Sequence, residues 1–167
     1  MGIHAYDVLT PITKQMLPAL DRILGKGETF VQENGLEERV LLQYRLAPDM
    51  FDFTRQIQIA TDQIKGGFAR LAGQESPSWP DTESSFAELR ARVQKTIAFA
   101  GTFNREQFDD AADRDIQLKF PGVTLDFKGE EYLLGFVLPN FYFHMTTGYD
   151  ILRHNGVGLG KAHFLGG

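Results

Sequence analysis

Apolar residues recur near the start of the chain at Val8, Ile12, Met16, Leu20, Ile23, Leu24 and Phe30, in steps of mostly three and four. That spacing lines one face of a helix and predicts one from about Ala5 to Glu33. Pro11 suits a first turn. Pro18 falls inside and is expected to kink or divide the rod. Asn34-Gly35 supplies a stop. Leu36 to Leu46 reads as a short helix that Pro48 ends. Asp49 is placed to cap the next, from about Met50 to Leu71, whose stripe is Phe53, Ile57, Ala60, Ile64, Phe68 and Leu71. Another helix starts at Ser84 or Ser85 and runs to Phe103, with Phe86, Leu89, Val93, Ile97 and Ala100 inward. Glu88, three residues after Ser85, suits a capping box.

The period then changes. Ile116, Leu118 and Phe120 alternate with Gln117 and Lys119, and Val123, Leu125 and Phe127 alternate with Thr124 and Asp126. Pro121-Gly122 lies between the two runs, so a β-hairpin is expected, resting on the helices because a lone hairpin is marginal. Arg105 to Arg114 reads as a helical turn. Glu130 to Leu138 reads as either a helical turn or an extended lead-in. Pro139 suits the first turn of a final helix, Asn140 to His154, which Asn155-Gly156 ends. The tail from Val157 to Gly167 reads as irregular. Gln74 to Ser85 resembles a linker in composition but is read as a loop, with Trp79 folded back on the protein. The expected architecture is a mainly α four-helix bundle, one domain over residues 1–167, with a small hairpin inserted before the last helix.

Composition narrows the function. Fourteen phenylalanines against one tryptophan point to a thick core without many polar tips to satisfy. The net charge of -5, with no run of Lys or Arg, speaks against nucleic acid as a partner. With no cysteine, disulfides, thiolate catalysis and zinc–thiolate sites are excluded. No stretch is apolar for long enough to span a bilayer, and no signal peptide is legible. Met1-Gly2 begins like a myristoylation motif, but Tyr6 stands where Ser or Thr is wanted. A bacterial, cytoplasmic protein is the expectation.

Most familiar motifs fail on their own chemistry. The run Asn155 to Ala162 is glycine-rich, yet Asn155 and Ala162 replace the Gly and Ser/Thr of a phosphate loop, and the run follows a helix. No nucleophile elbow or His-Glu-x-x-His pair occurs, and no pair of glycosidase carboxylates stands out among the many surface acids. The acids Asp109, Asp110 and Asp113, like Glu37-Glu38, lack calcium-loop spacing and read as solvated faces.

His144 is different. On a helix its neighbours at three and four residues are Asn140, Phe141, Thr147 and Gly148. A histidine, an amide and a hydroxyl thus share a face with a glycine that leaves room, amid Tyr142, Phe143 and Met145. Bundle proteins build ligand and metal sites on such polar strips. Gln56 and Gln63 flank the stripe of the helix ending at Leu71 and are candidates to face it. Asp62 lies nearly opposite that stripe, so its simplest placement is toward solvent. The plain alternative is a structural histidine bonded to a carbonyl or a buried acid.

Several strings are together more specific. Leu46-Ala47-Pro48-Asp49-Met50, then Gln56, Asp62, Gln63 and Leu71-Ala72-Gly73, are followed by Leu138-Pro139-Asn140-Phe141-Tyr142-Phe143-His144, Ile151 to Gly156 and Phe164-Leu165-Gly166. They resemble the domain of unknown function 1993 family, within the DinB-like helical bundles, over essentially the whole chain. The resemblance implies a DinB-type up-down four-helix bundle, often a homodimer. Members of the wider group hold a divalent metal, such as zinc or nickel, through three histidines. One is on the second helix and two are four residues apart near the last. Some are metal-dependent hydrolases or thiol-dependent transferases and isomerases.

This sequence departs from that pattern. His144 matches the second histidine of the pair, its partner position is Asn140, and the second helix offers only Gln56, Gln58, Asp62 and Gln63. Neutral amides are weak ligands for zinc or nickel. Three readings follow. The first is a small-molecule-binding bundle with a degenerate metal site, in which His144 acts as acid, base or hydrogen-bonding group, helped by Asn140, Gln56 and Thr147. The second is a divalent-metal enzyme using His144 with Asp62 or Gln56, which needs Asp62 turned inward. The third is a non-catalytic dimer.

Overall fold

The structure, a computed structural model, describes residues 4–167, so the Met1-Gly2 motif lies outside it. The first helical rod comprises α1 (Ala5–Pro11), a π-helical turn (Ile12–Met16) and α2 (Leu17–Glu33). Pro18 does not divide it. A proline inside a helix lacks an N–H and crowds the carbonyl four residues back. The chain answers by widening one turn just before it: the Leu17 N–H donates to the Ile12 carbonyl, five residues back.

The same device recurs before Pro139. The segments α6 (Gly129–Glu131), a second π turn (Tyr132–Val137) and α7 (Leu138–His154) follow one another directly, and Leu138 N–H donates to the Leu133 carbonyl. The final helix therefore does not begin at Asn140. Its lead-in is helical rather than extended, because the wide turn absorbs the proline.

Other boundaries shift for local reasons. The short helix expected over Leu36 to Leu46 shrinks to α3 (Arg39–Leu42). The chain then turns back: Phe53 N–H donates to the Tyr44 carbonyl at 2.9 Å, and Arg45 and Asp52 form an isolated β-bridge. This loop places Asp52, not Asp49, as cap of α4 (Phe53–Leu71), its carboxylate accepting from Arg55 N–H at 2.9 Å. Ser85 caps α5 (Phe86–Ala100) and accepts from Glu88 N–H at 3.1 Å. Glu88 does not close the box on Ser85; its carboxylate takes the Ser84 N–H at 2.6 Å.

The hairpin is as read: β1 (Asp115–Phe120) pairs antiparallel with β2 (Val123–Lys128), with Leu118 opposite Leu125. Gly122 at φ +80° permits the two-residue turn. The tail is less irregular than expected. It holds α8 (Lys161–Phe164), fastened to the first rod where Gln15 and Arg22 donate to the Leu165 and Gly166 carbonyls.

The molecule is mainly helical, with this one small hairpin. Helix α4 packs along both α7 and α5, and α5 along α2. Phe53, Phe68, Phe86, Phe108, Phe141 and Tyr132 fill the space between the elements, all 1% exposed or less. Burying each such ring is worth roughly 1.5–3 kcal/mol, and Leu, Ile and Val side chains from α2, α4, α5 and α7 pack around them. No described helix is long and apolar enough to cross a membrane.

Candidate functional site

The contact between α4 and α7 sets the site. Both helices turn a polar residue inward at the same level, Gln56 from α4 and His144 from α7, 1% and 7% exposed. His144 Nδ1 and Gln56 Oε1 are 2.6 Å apart, and Gln56 Nε2 donates to the Phe51 carbonyl at 3.0 Å. These two contacts fix the protons. A carbonyl only accepts, so the amide nitrogen of Gln56 must face Phe51 and its oxygen must face His144. His144 Nδ1 therefore carries the hydrogen. Nε2 is left with its lone pair and, among the described residues, has no hydrogen-bond partner.

That nitrogen serves an open groove of about 590 Å³ between α4 and α7, walled by the hairpin tip and by Ser76 to Ser78. Its lining mixes Phe51, Ile59, Leu118, Phe120 and Phe136 with Arg55, Asp62, Gln63, Lys65, Arg70, Asn140 and His144. Burial lowers the His144 pKa, and the nearby Arg55 charge lowers it further. Both favour the neutral imidazole, a hydrogen-bond acceptor and potential base.

The other expected site residues are placed differently. Asn140 lines the groove, but its Nδ2 donates to the Phe136 carbonyl at 2.7 Å, which leaves its oxygen to offer. Thr147 does not line the groove; its hydroxyl donates to the Phe143 carbonyl at 2.8 Å, one turn back on its own helix. Gly148 makes no room for a ligand. A Cβ there would stand 3.0 Å from Ile57 Cδ1 and 3.7 Å from the Phe53 ring, so it lets α7 approach α4.

Asp62 reaches the groove, with its Oδ1 already engaged by two cations. It accepts from Lys65 Nζ at 2.7 Å and from Arg92 Nη2 at 2.9 Å. Arg92 went unnoticed in the sequence, and it organises this region. Its side chain is 2% exposed and also meets Thr61 Oγ1, the Pro80 carbonyl, Glu83 at 2.9 Å and Asp81 at 3.0 Å. Asp81 in turn pairs with Arg55, and Glu83 accepts from Gln58 Nε2 at 2.9 Å. Trp79 lies between two ammonium groups, Lys65 at 4.6 Å and Lys95 at 4.3 Å from its ring centre. The Gln74 to Ser85 loop is thus strapped down over α4 and α5. A signal existed: Arg92 follows Leu89 by three and precedes Thr96 by four, on the inward stripe of α5.

These donors do not fit a metal. Gln56 faces His144 with a neutral amide whose oxygen already accepts from Nδ1, and Asn140 offers one amide oxygen. Asp62 is neutralised by two cations. Among the described residues no three His, Asp or Glu side chains come close enough to hold an ion.

The sequence profile of domain of unknown function 1993 matches residues 5–165. The chain belongs to the DUF1993 family. A solved structure described as a DinB family member from Shewanella denitrificans superposes with a TM-score of 0.86 and 41% sequence identity, covering 97% of this chain and 92% of that one. No curated protein is significantly similar to the chain. For this DUF1993 protein, the residues at the α4–α7 contact must carry any functional reading.

Proposed function

We propose that this chain is a DinB-type up-down four-helix bundle whose α4–α7 groove binds a small molecule, with His144 Nε2 as hydrogen-bond acceptor or base. The observation behind this reading is the relay from the Phe51 carbonyl through Gln56 to His144 Nδ1. A histidine kept only for packing has no need of one fixed tautomer with its free nitrogen toward an open groove. Here the second-helix position holds a glutamine that orients the ring, so the site works through hydrogen bonds rather than a metal shell.

The test is a thermal-shift screen of small metabolites against wild type and His144→Phe, which keeps a ring but no nitrogen. Compounds that stabilise wild type and not the variant are expected. If every stabilising compound acts equally on both, or none acts at all, the reading fails.

A further inference from the structure

Arg70 is the one groove cation whose placement the site described above does not use. It stands on α4 fourteen residues beyond Gln56, about 20 Å along the helix at about 1.5 Å per residue. The other cations of this face have acids: Arg55 has Asp81, Lys65 has Asp62, and Arg92 has Asp62, Asp81 and Glu83. Among the described residues Arg70 has no carboxylate within reach. Its polar partner is the neutral Tyr132 hydroxyl, which accepts from Nη1 at 2.9 Å.

That contact is built. Tyr132 is 1% exposed, so its oxygen is a fixed point. The guanidinium reaches it by folding back over Gly66, where a Cβ would stand 2.3 Å from Nη1. A cation in the last turn of a helix is favoured by the helix dipole, which accounts for the charge. The dipole does not account for the fold-back onto a buried hydroxyl. Arg70 also lines an adjoining cleft of about 520 Å³, together with Arg114 and Lys119. Arg114 donates to the Leu71 carbonyl at 2.9 Å and likewise has no carboxylate partner among the described residues. Of the acids on that cleft, Asp115 is paired with Lys128, which leaves Glu75.

We infer that Arg70 is the anchor of an anion subsite. The ligand of the groove is then an elongated amphiphile with a carboxylate or phosphate at the Arg70 end. Its apolar body lies along Ile59, Leu118 and Phe136 toward His144. A fork held in place without a counter-charge loses little freedom on meeting a planar anion and can bind it through two parallel N–H bonds. This inference rests on the groove being a small-molecule site.

The experiment titrates octanoate, octyl phosphate, 1-octanol and octylammonium into the full chain by NMR at low salt. Wild type is expected to bind the two anions at least ten times more tightly than octanol and to bind octylammonium least. The ratio of the first two shows which anion is preferred. In Arg70→Gln the anions should fall to the octanol level while octanol binding is unchanged, which also shows that the groove has folded. Arg70→Lys keeps the charge without the fork and should lie between. Arg114→Gln should weaken the anions by a smaller factor. Anion binding untouched in both Arg70 variants would overturn the subsite. Octanol binding as tightly as octanoate would overturn it too, yet leave the groove a binding site. Failure of all four probes would count against both readings.

Discussion

Gln56 Oε1 lies 2.6 Å from His144 Nδ1, and this contact, with Gln56 held by the Phe51 carbonyl, places the imidazole hydrogen on Nδ1. Burial and Arg55 hold the His144 pKa below its ordinary value near 6.5. The folded protein therefore takes up a proton at this ring less readily than the unfolded chain does. Between the depressed folded value and about 6.5 the unfolded chain binds more protons, so stability rises with pH across that window. The stabilising contribution of His144 is present above about 6.5 and is lost as pH falls through the folded value. His144→Asn, which can still donate to Gln56 but does not titrate, is expected to lose less stability on going from pH 7.5 to 5. Urea unfolding of both proteins at several pH values checks this, and parallel profiles would contradict it.

Changing the partner should reverse the sign. In Gln56→Glu a carboxylate faces Nδ1 and stabilises the imidazolium, so the His144 pKa should rise. The contribution would then be full below the unfolded value and would fade as pH rises through the folded one. Gln56→Leu should instead leave the buried Nδ1–H without a partner, at a cost of about 1–3 kcal/mol, while the carbonyl of exposed Phe51 can turn to water. NMR titration of the His144 ring reads the first effect, and denaturant unfolding the second.

The helices, their stripes and the hairpin register could be read from periodicity, because 3.6- and 2-residue repeats are what burial on one face demands. Pro139 misled because a proline marks a boundary in sequence, whereas a π turn carries this helix through it. At the site, His144 stood out as a polar residue among aromatics, and Gln56 could be placed on the right face. What could not be read was which groups each side chain would satisfy. Asn140 and Thr147 share the face of His144 on a helical wheel, yet both bond carbonyls of their own helix, one turn back. The Arg92 network joins α4, α5 and a loop, and no local pattern reports contacts across 30 residues.

Arg92 should prove the most sensitive charge in the protein. In Arg92→Met, Asp62, Asp81 and Glu83 lose their common partner, and the Thr61 hydroxyl and Pro80 carbonyl each lose a bond. Removing one partner of a buried pair costs roughly 3–5 kcal/mol, and the lower end applies here because the acids keep part of their hydration. The Gln74 to Ser85 loop should loosen with it. The single tryptophan, Trp79, sits in that loop, so its emission should shift to the red in folded Arg92→Met, and limited proteolysis should cut there first. Unchanged emission would show that Lys65 and Lys95 hold the loop without Arg92.

Two glycines separate a close approach that can give from one that cannot. At Gly148 an added methyl would meet Ile57 Cδ1, the end of a flexible side chain, at 3.0 Å. Gly148→Ala should therefore cost at most about 1–3 kcal/mol, as overpacking usually does, with part recovered because alanine favours the helix. At Gly129 the same methyl would stand 1.7 Å from the Ala111 carbonyl oxygen. That oxygen belongs to a backbone turn, where the Glu130 N–H also donates to the Ala112 carbonyl at 3.0 Å, so it cannot swing aside. Gly129→Ala must push the chain between the hairpin and the last helix away from the 109–113 turn. It should destabilise the protein well beyond Gly148→Ala, and calorimetry of both variants beside wild type gives the order. If the two melt alike, residues 109–113 move more freely than their packing implies.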